Sequence, residues 1–179
     1  GPVIASEPRS RRGWAGFFVD YGPHAVAPYT SASGDISGNN VAYRRDALPD
    51  DGAPVWKHAV DARLHEAGIR PVVVEGMAVT VERDYGWSDL GPARVAAGAL
   101  YARQRASGWP ARRRWLAAVG CAVLPALATA RLGGRVRADA HLRPAFVRAS
   151  PLVVAALVAW SIGEALGYLR PGQEAPGVW

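Results

Sequence analysis

From Pro151 to Leu169 the chain reads PLVVAALVAWSIGEALGYL, nineteen residues whose single charge is Glu164. From Trp115 to Ala130 it reads WLAAVGCAVLPALATA, sixteen residues with no charge. Arginines bracket both runs: Arg112, Arg113 and Arg114 stand before the first, Arg131, Arg135, Arg137, Arg143 and Arg148 between the two, and Arg170 after the second. Membrane segments are flanked in this way, with apolar side chains in the hydrocarbon and cations at the headgroups. Sixteen residues at 1.5 Å each reach about 24 Å, short of a hydrocarbon layer of roughly 30 Å. In the second run Leu152, Val153, Val154, Leu157, Val158, Ile162, Leu166 and Leu169 favour insertion by roughly 3 to 4 kcal/mol in sum, and Glu164 opposes it by up to about 3 kcal/mol. Insertion is therefore close to balanced. The expectation is a helical hairpin that spans with help from a partner or lies in the interface, the alternative being two buried helices of a soluble bundle. Arginines occur on both sides of the first run, so the positive-inside rule gives no orientation.

The rest of the chain differs in charge. Residues 1–99 carry twelve acids and ten bases, a net −2, whereas residues 100–179 carry three acids and eleven bases, a net +8. A basic half suggests nucleic acid or an anionic surface. Here the arginines alternate with apolar runs and not with aromatics on a polar face, so no nucleic-acid partner is expected. One cysteine, Cys121, excludes a disulfide framework and a cysteine-based zinc site; it reads as a small apolar filler. The N-terminal stretch GPVIASEPRSRR lacks the apolar core of a signal peptide.

In the acidic half, Trp14, Phe17, Phe18 and Tyr21 recur at spacings of three and four, which predicts one helix face ending at Gly22. A Pro-, Ser- and Gly-rich loop follows. Val55, Val60, Leu64 and Ala67 then predict a helical stripe that stops at Gly68. Pro71–Glu75 and Met77–Glu82 are strand candidates, and residues 92–106 predict an alanine-rich helix. Two or three short strands with two helices make an incomplete α+β unit, because the run Val72-Val73-Val74 calls for a neighbouring sheet.

Several of these segments carry a resemblance. GDISGNNVAYRRDAL at residues 34–48, followed by VWKHAVDARLHEAGIRPVVVEGMAVTVE at residues 55–82, resembles the membrane-attached family 2 glycosyltransferases, which are inverting and nucleotide-sugar-dependent. Gly38, Asn40, Ala42, Tyr43, Arg44 and Arg45 match that family's Gly-x-Asn-x-Ala-(Tyr/Phe)-Arg-Arg stretch, and Arg63, Leu64 and Gly68 match its Arg-Leu-x-x-x-Gly helix. Gly1-Pro2-Val3 is similar to the family's Gly-Pro-Val strand end, and Phe17-Phe18-Val19-Asp20-Tyr21-Gly22 to its Phe-Phe-x-Glu-Tyr-Gly helix. Arg94, Gly98 and Arg105 fall on its arginine-rich helix, and Gly163–Leu169 on its tail.

The resemblance implies an α+β fold: a partial, Rossmann-like C-terminal half of a type-A glycosyltransferase with few short strands, followed by two apolar membrane or interfacial helices. Residues 1–110 would form the acceptor-side region and residues 111–179 the membrane attachment. It further implies a membrane-lipid or lipid-linked acceptor at the cytoplasmic face, where nucleotide sugars are found. No cofactor is expected within this chain. The divalent metal of the complete family enzyme, Mg or Mn, belongs to an Asp-x-Asp motif in a nucleotide-binding half, which would be a missing segment or a partner chain. Asp50-Asp51 lies on the other side of the Gly-x-Asn motif and reads as a turn.

An inverting transferase needs a general base to deprotonate the acceptor hydroxyl, worth about 10²–10⁴ in rate. By the resemblance the family's acidic pair falls on Trp56 and Lys57. A lysine titrates near 10.4, so acting as a base at neutral pH would require a fall of about three units, roughly 4 kcal/mol. His58 and Asp61 are the neighbouring stand-ins; the alternatives are a structural histidine at a helix start and a Lys57–Asp61 ion pair at i, i+4. Asn39 and Asn40 would hydrogen-bond an acceptor sugar or else form a turn. Arg44 and Arg45 would approach an anionic acceptor or else pair with Asp46 or Asp35. Catalysis by residues 1–179 alone is not expected. Glu164, an acid within an apolar helix, calls for a partner, for which an arginine between the two runs is the natural candidate.

Overall fold

The structure, a computed structural model, describes residues 3–6, 10–25, 42–43, 45, 48, 60, 64–69 and 76–170. The chain divides into two compact units: Gly1–Ser6 with Pro23–Glu82, and Glu7–Gly22 with Arg83–Trp179.

In the first unit, strands β1 (Val3–Ala5) and β2 (Val79–Val81) pair in parallel, with Val3 opposite Val79 and Ala5 opposite Val81. The Ser6 backbone N–H and hydroxyl both donate to the Val81 carbonyl, at 3.2 and 2.9 Å, and extend the ladder by one residue. The strand expected at residues 77–82 is thus present, and that at Pro71–Glu75 lies outside the described residues. Residues 64–66 are helical and close where the stripe predicted, at Gly68. Gly68 has φ +72°, its N–H reaches the His65 carbonyl and that of Ile69 the Leu64 carbonyl, a Schellman cap that needs a residue tolerating positive φ.

The second unit is helical. Its described elements are α1 (Arg11–Tyr21), α2 (Trp87–Leu90), α3 (Pro92–Arg105), α4 (Ala111–Gly120), α5 (Leu124–Val136) and α6 (Leu142–Leu169). Ser10 caps α1 by accepting from the Gly13 N–H at 3.0 Å. The aromatic face read from the sequence is buried at Phe17, Phe18 and Tyr21, and Phe18 meets Phe146 of α6 edge to face at 5.2 Å.

The apolar runs fold differently from the expected hairpin of two helices. The first is broken into α4 and α5, which are bent 53° from one another. The break lies just before Pro125, whose ring excludes the carbonyl four residues back and which suits only the first turn of the helix it opens. The second run does not begin a helix at Pro151. It continues one that starts at Leu142, and α6 alone among the described helices is long and apolar enough to cross a membrane. Pro151 is tolerated because Ser150 Oγ donates to the Val147 carbonyl at 2.9 Å, the acceptor that the missing proline N–H leaves open.

Helix α6 is the axis of this unit, and α1, α3, α4 and α5 all pack on it. Phe146, Ala149, Val153, Ala156, Gly163 and Gly167 are buried along one stripe with a three-four alternation. Against α3 the stripe carries no side chains to separate the backbones. A Cβ on Gly163 would collide with the Val95 carbonyl, one on Gly167 with that of Ala99, and one on Gly98 with that of Trp160. Backbone atoms cannot step aside as a flexible side chain can. Gly163→Ala is accordingly expected to cost about 1–3 kcal/mol. Gly134, with open space around its Cβ position, is expected to gain up to about 1 kcal/mol from alanine. Opposite shifts in thermal unfolding of the two variants check this; equal shifts would contradict the packing.

Candidate functional site

Of the nine candidate acceptor and base residues, Gly38, Asn39, Asn40, Arg44, Trp56, Lys57, His58 and Asp61 lie outside the described residues. Arg45 is described, is exposed, and accepts at its backbone carbonyl from the Leu48 N–H at 3.1 Å.

The polar groups that do come together are in the helical unit. Asp20 is the last residue but one of α1. Its Oδ2 accepts from the Tyr85 hydroxyl at 2.7 Å and its Oδ1 from Arg94 Nη1 at 2.5 Å. Arg94 is thirteen per cent exposed and Asp20 twenty-one per cent, so the pair is largely withdrawn from water. Tyr85 reaches this position by laying its ring over Gly16, where a Cβ would collide with the ring at its Cγ. Burial, with the Asp20 carboxylate beside it, pushes the Tyr85 phenol well above its ordinary value. Arg94 Nε is buried and has no partner among the described residues.

Beside this cluster opens a cavity of about 390 Å³. Its lining includes Asp20 from α1, Arg94 from α3, Leu124, Leu127, Ala128 and Arg131 from α5, and Leu157, Trp160 and Ser161 from α6. The α5 residues recur at i, i+3, i+4 and i+7 and therefore share one helix face. Arg131 is exposed, and its side chain has no partner among the described residues. In the sequence Leu124–Arg131 reads as membrane run and flank, and the signal for the cavity is the helical spacing that places Leu124, Leu127, Ala128 and Arg131 on one face.

Glu164 is four per cent exposed. Its carboxylate does not pair with an arginine from between the apolar runs. It accepts from Trp160 Nε1 at 3.1 Å and from the Tyr168 hydroxyl at 2.9 Å, both a single turn away on α6. Arg105 of α3 lies close enough to interact with both Tyr168 and Glu164. Cys121 packs with Ala102, Ala106 and Tyr168, as the filler reading expected. No group of three or more His, Cys, Asp or Glu side chains among the described residues is placed to hold a metal ion.

No protein-family model, curated protein or solved structure matches this chain.

The Asp20 cluster makes a pH prediction. A phenol whose folded pKa is raised adds stability that is complete below pH 10.0, its ordinary value, and is lost as pH rises above that value toward the folded one. Tyr85→Phe should cost about 1–2 kcal/mol at neutral pH by removing a donor to a charged acceptor. It should also flatten the loss of stability above pH 10, measured by denaturant unfolding across an alkaline series; an unchanged alkaline slope would contradict the assignment.

Proposed function

We propose that this chain is the acceptor-side and membrane-attachment part of a family 2-type, inverting, nucleotide-sugar-dependent glycosyltransferase. The observation that carries the reading is the packing of three separate stretches of the resemblance. Phe17–Gly22, the helix bearing Arg94, Gly98 and Arg105, and the tail Gly163–Leu169 are far apart in sequence, yet they belong to one helical packing, in which α1 and α3 both lie on α6. Asp20 bonds Arg94, and Gly98 abuts the α6 backbone beside Gly163. Asp20, Arg94, Gly98 and Gly163 are all residues of the resembling stretches.

Membrane attachment is supported by what α6 leaves uncovered. Val154, Val158, Ile162 and Leu166 form an i, i+4 row that is 37 to 51 per cent exposed, opposite the buried stripe. Trp115, Leu116, Val119 and Val123 are 56 to 70 per cent exposed on α4 and just beyond it. A helix apolar on both faces suits lipid on one side and protein on the other. The acceptor is then a membrane lipid or lipid-linked saccharide at the cytoplasmic face. The nucleotide-binding motif with its divalent cation is not among these 179 residues.

A second reading, a non-catalytic membrane protein derived from a transferase, is favoured by Lys57 at the family's base position. Lys57→Asp, assayed with a nucleotide-binding half supplied as a separate chain, creates or changes transfer on the first reading and does nothing on the second.

The purified chain is expected to float with neutral phosphatidylcholine vesicles, to transfer no label from nucleotide sugars by itself, and to bind a saccharide-bearing lipid with an affinity that Asn39→Ala and Asn40→Ala together reduce about tenfold or more. Failure to float removes the membrane part. Binding of nucleotide sugar without any binding of saccharide removes the acceptor-side part.

A further inference from the structure

We propose that the cavity between α1, α3, α5 and α6 holds the phosphate headgroup of one anionic lipid, with its hydrocarbon chains leaving along Leu127. The proposal rests on the membrane part of the reading above and not on the transferase part. The argument begins with charge. Asp20, Arg94 and Arg131 line the cavity, and Asp20 already accepts from Arg94 and Tyr85 at its two oxygens. The lining is thereby left with one positive charge more than it neutralises. The cation that remains for a ligand is the exposed Arg131 guanidinium, whose side chain has no partner among the described residues. A free guanidinium at a cavity of net positive charge selects an oxyanion, since its paired N–H donors fit phosphate oxygens.

The remaining wall says what the anion is attached to. Leu124, Leu127, Ala128, Leu157 and Trp160 make the lining predominantly apolar, so a free phosphate would leave most of the wall unmatched. Leu127 both lines the cavity and is 48 per cent exposed, and Val123, one turn earlier, is 56 per cent exposed. The apolar wall therefore continues onto the outer surface. A cavity of about 390 Å³ suits a headgroup and the first methylenes, being at the small end of ligand pockets. Acyl chains must lie outside it, along the surface that faces lipid in the membrane reading.

The test uses the full chain in a neutral detergent, titrated calorimetrically with dihexanoyl phosphatidic acid, with dihexanoyl phosphatidylcholine and with inorganic phosphate. The phosphatidic acid is expected to bind at one per chain and at least tenfold more tightly than either of the others. Because the chain carries many arginines, the decisive comparison is between two exposed ones. Arg131→Ala should weaken binding roughly tenfold or more, whereas Arg148→Ala, which removes the same charge away from the cavity, should change it less than twofold. Leu127→Ser should weaken phosphatidic acid and leave inorganic phosphate unchanged. Equal losses at Arg131 and Arg148, or inorganic phosphate binding as tightly as the lipid, would overturn the proposal. Flotation with neutral vesicles but no stoichiometric binding of phosphatidic acid overturns this site alone and leaves the membrane reading standing.

Discussion

Helices α3 and α6 meet backbone to backbone, at Gly98 on one side and Gly163 and Gly167 on the other, and the rest of the helical unit depends on that contact. Glycine at these points removes the side-chain layer that ordinarily holds helices 8–10 Å apart. Residues flanking the contact are then forced into close company. Tyr101 and Trp160 lie with ring centroids 5.8 Å apart, and Trp109 stacks on Tyr168 at 5.9 Å. Glu164, caught at the centre of the seam, is dry, and the hydroxyl and indole one turn to either side of it, with Arg105 nearby, make its burial tolerable.

The second constraint is electrostatic and follows the same logic of exclusion. Gly16 gives way to the ring of Tyr85, the ring delivers its hydroxyl to Asp20, and Asp20 in turn holds Arg94. Each member is buried enough to need the next. Truncating Asp20 would leave a largely buried guanidinium facing apolar walls, which is far more costly than removing an exposed ion pair. The bond between Asp20 and Arg94 thus ties α1 to α3 at the wall of the cavity.

Much of the fold was legible because local patterns decide it. The aromatic spacing of Trp14–Tyr21, the alanine-rich stretch at residues 92–106 and the stop at Gly68 are all encoded within a turn or two of chain. The partners of Glu164 were legible in principle as well, since Trp160 and Tyr168 stand at i−4 and i+4, but attention to charge pointed toward arginine. What was not legible is what arises between elements. The cavity draws on four helices, and the length of α6 depends on Ser150 satisfying a carbonyl that Pro151 abandons, an accommodation no propensity scale contains. Of the candidate acceptor and base residues, Arg45 alone falls among the described residues, so the acceptor-side reading rests on the sequence.

The proline inside α6 has a geometric consequence. Twenty-eight residues make a rod of about 42 Å, some 12 Å longer than a hydrocarbon layer of roughly 30 Å. The excess corresponds to the eight or so residues before Pro151, and these hold Arg143 and Arg148. If the apolar part lies in lipid, those two guanidinium groups stand at headgroup height and cannot sink without losing water. The helix then acts as a depth gauge: its apolar portion sets how far the unit enters the bilayer, and its arginine-bearing lead stops it there.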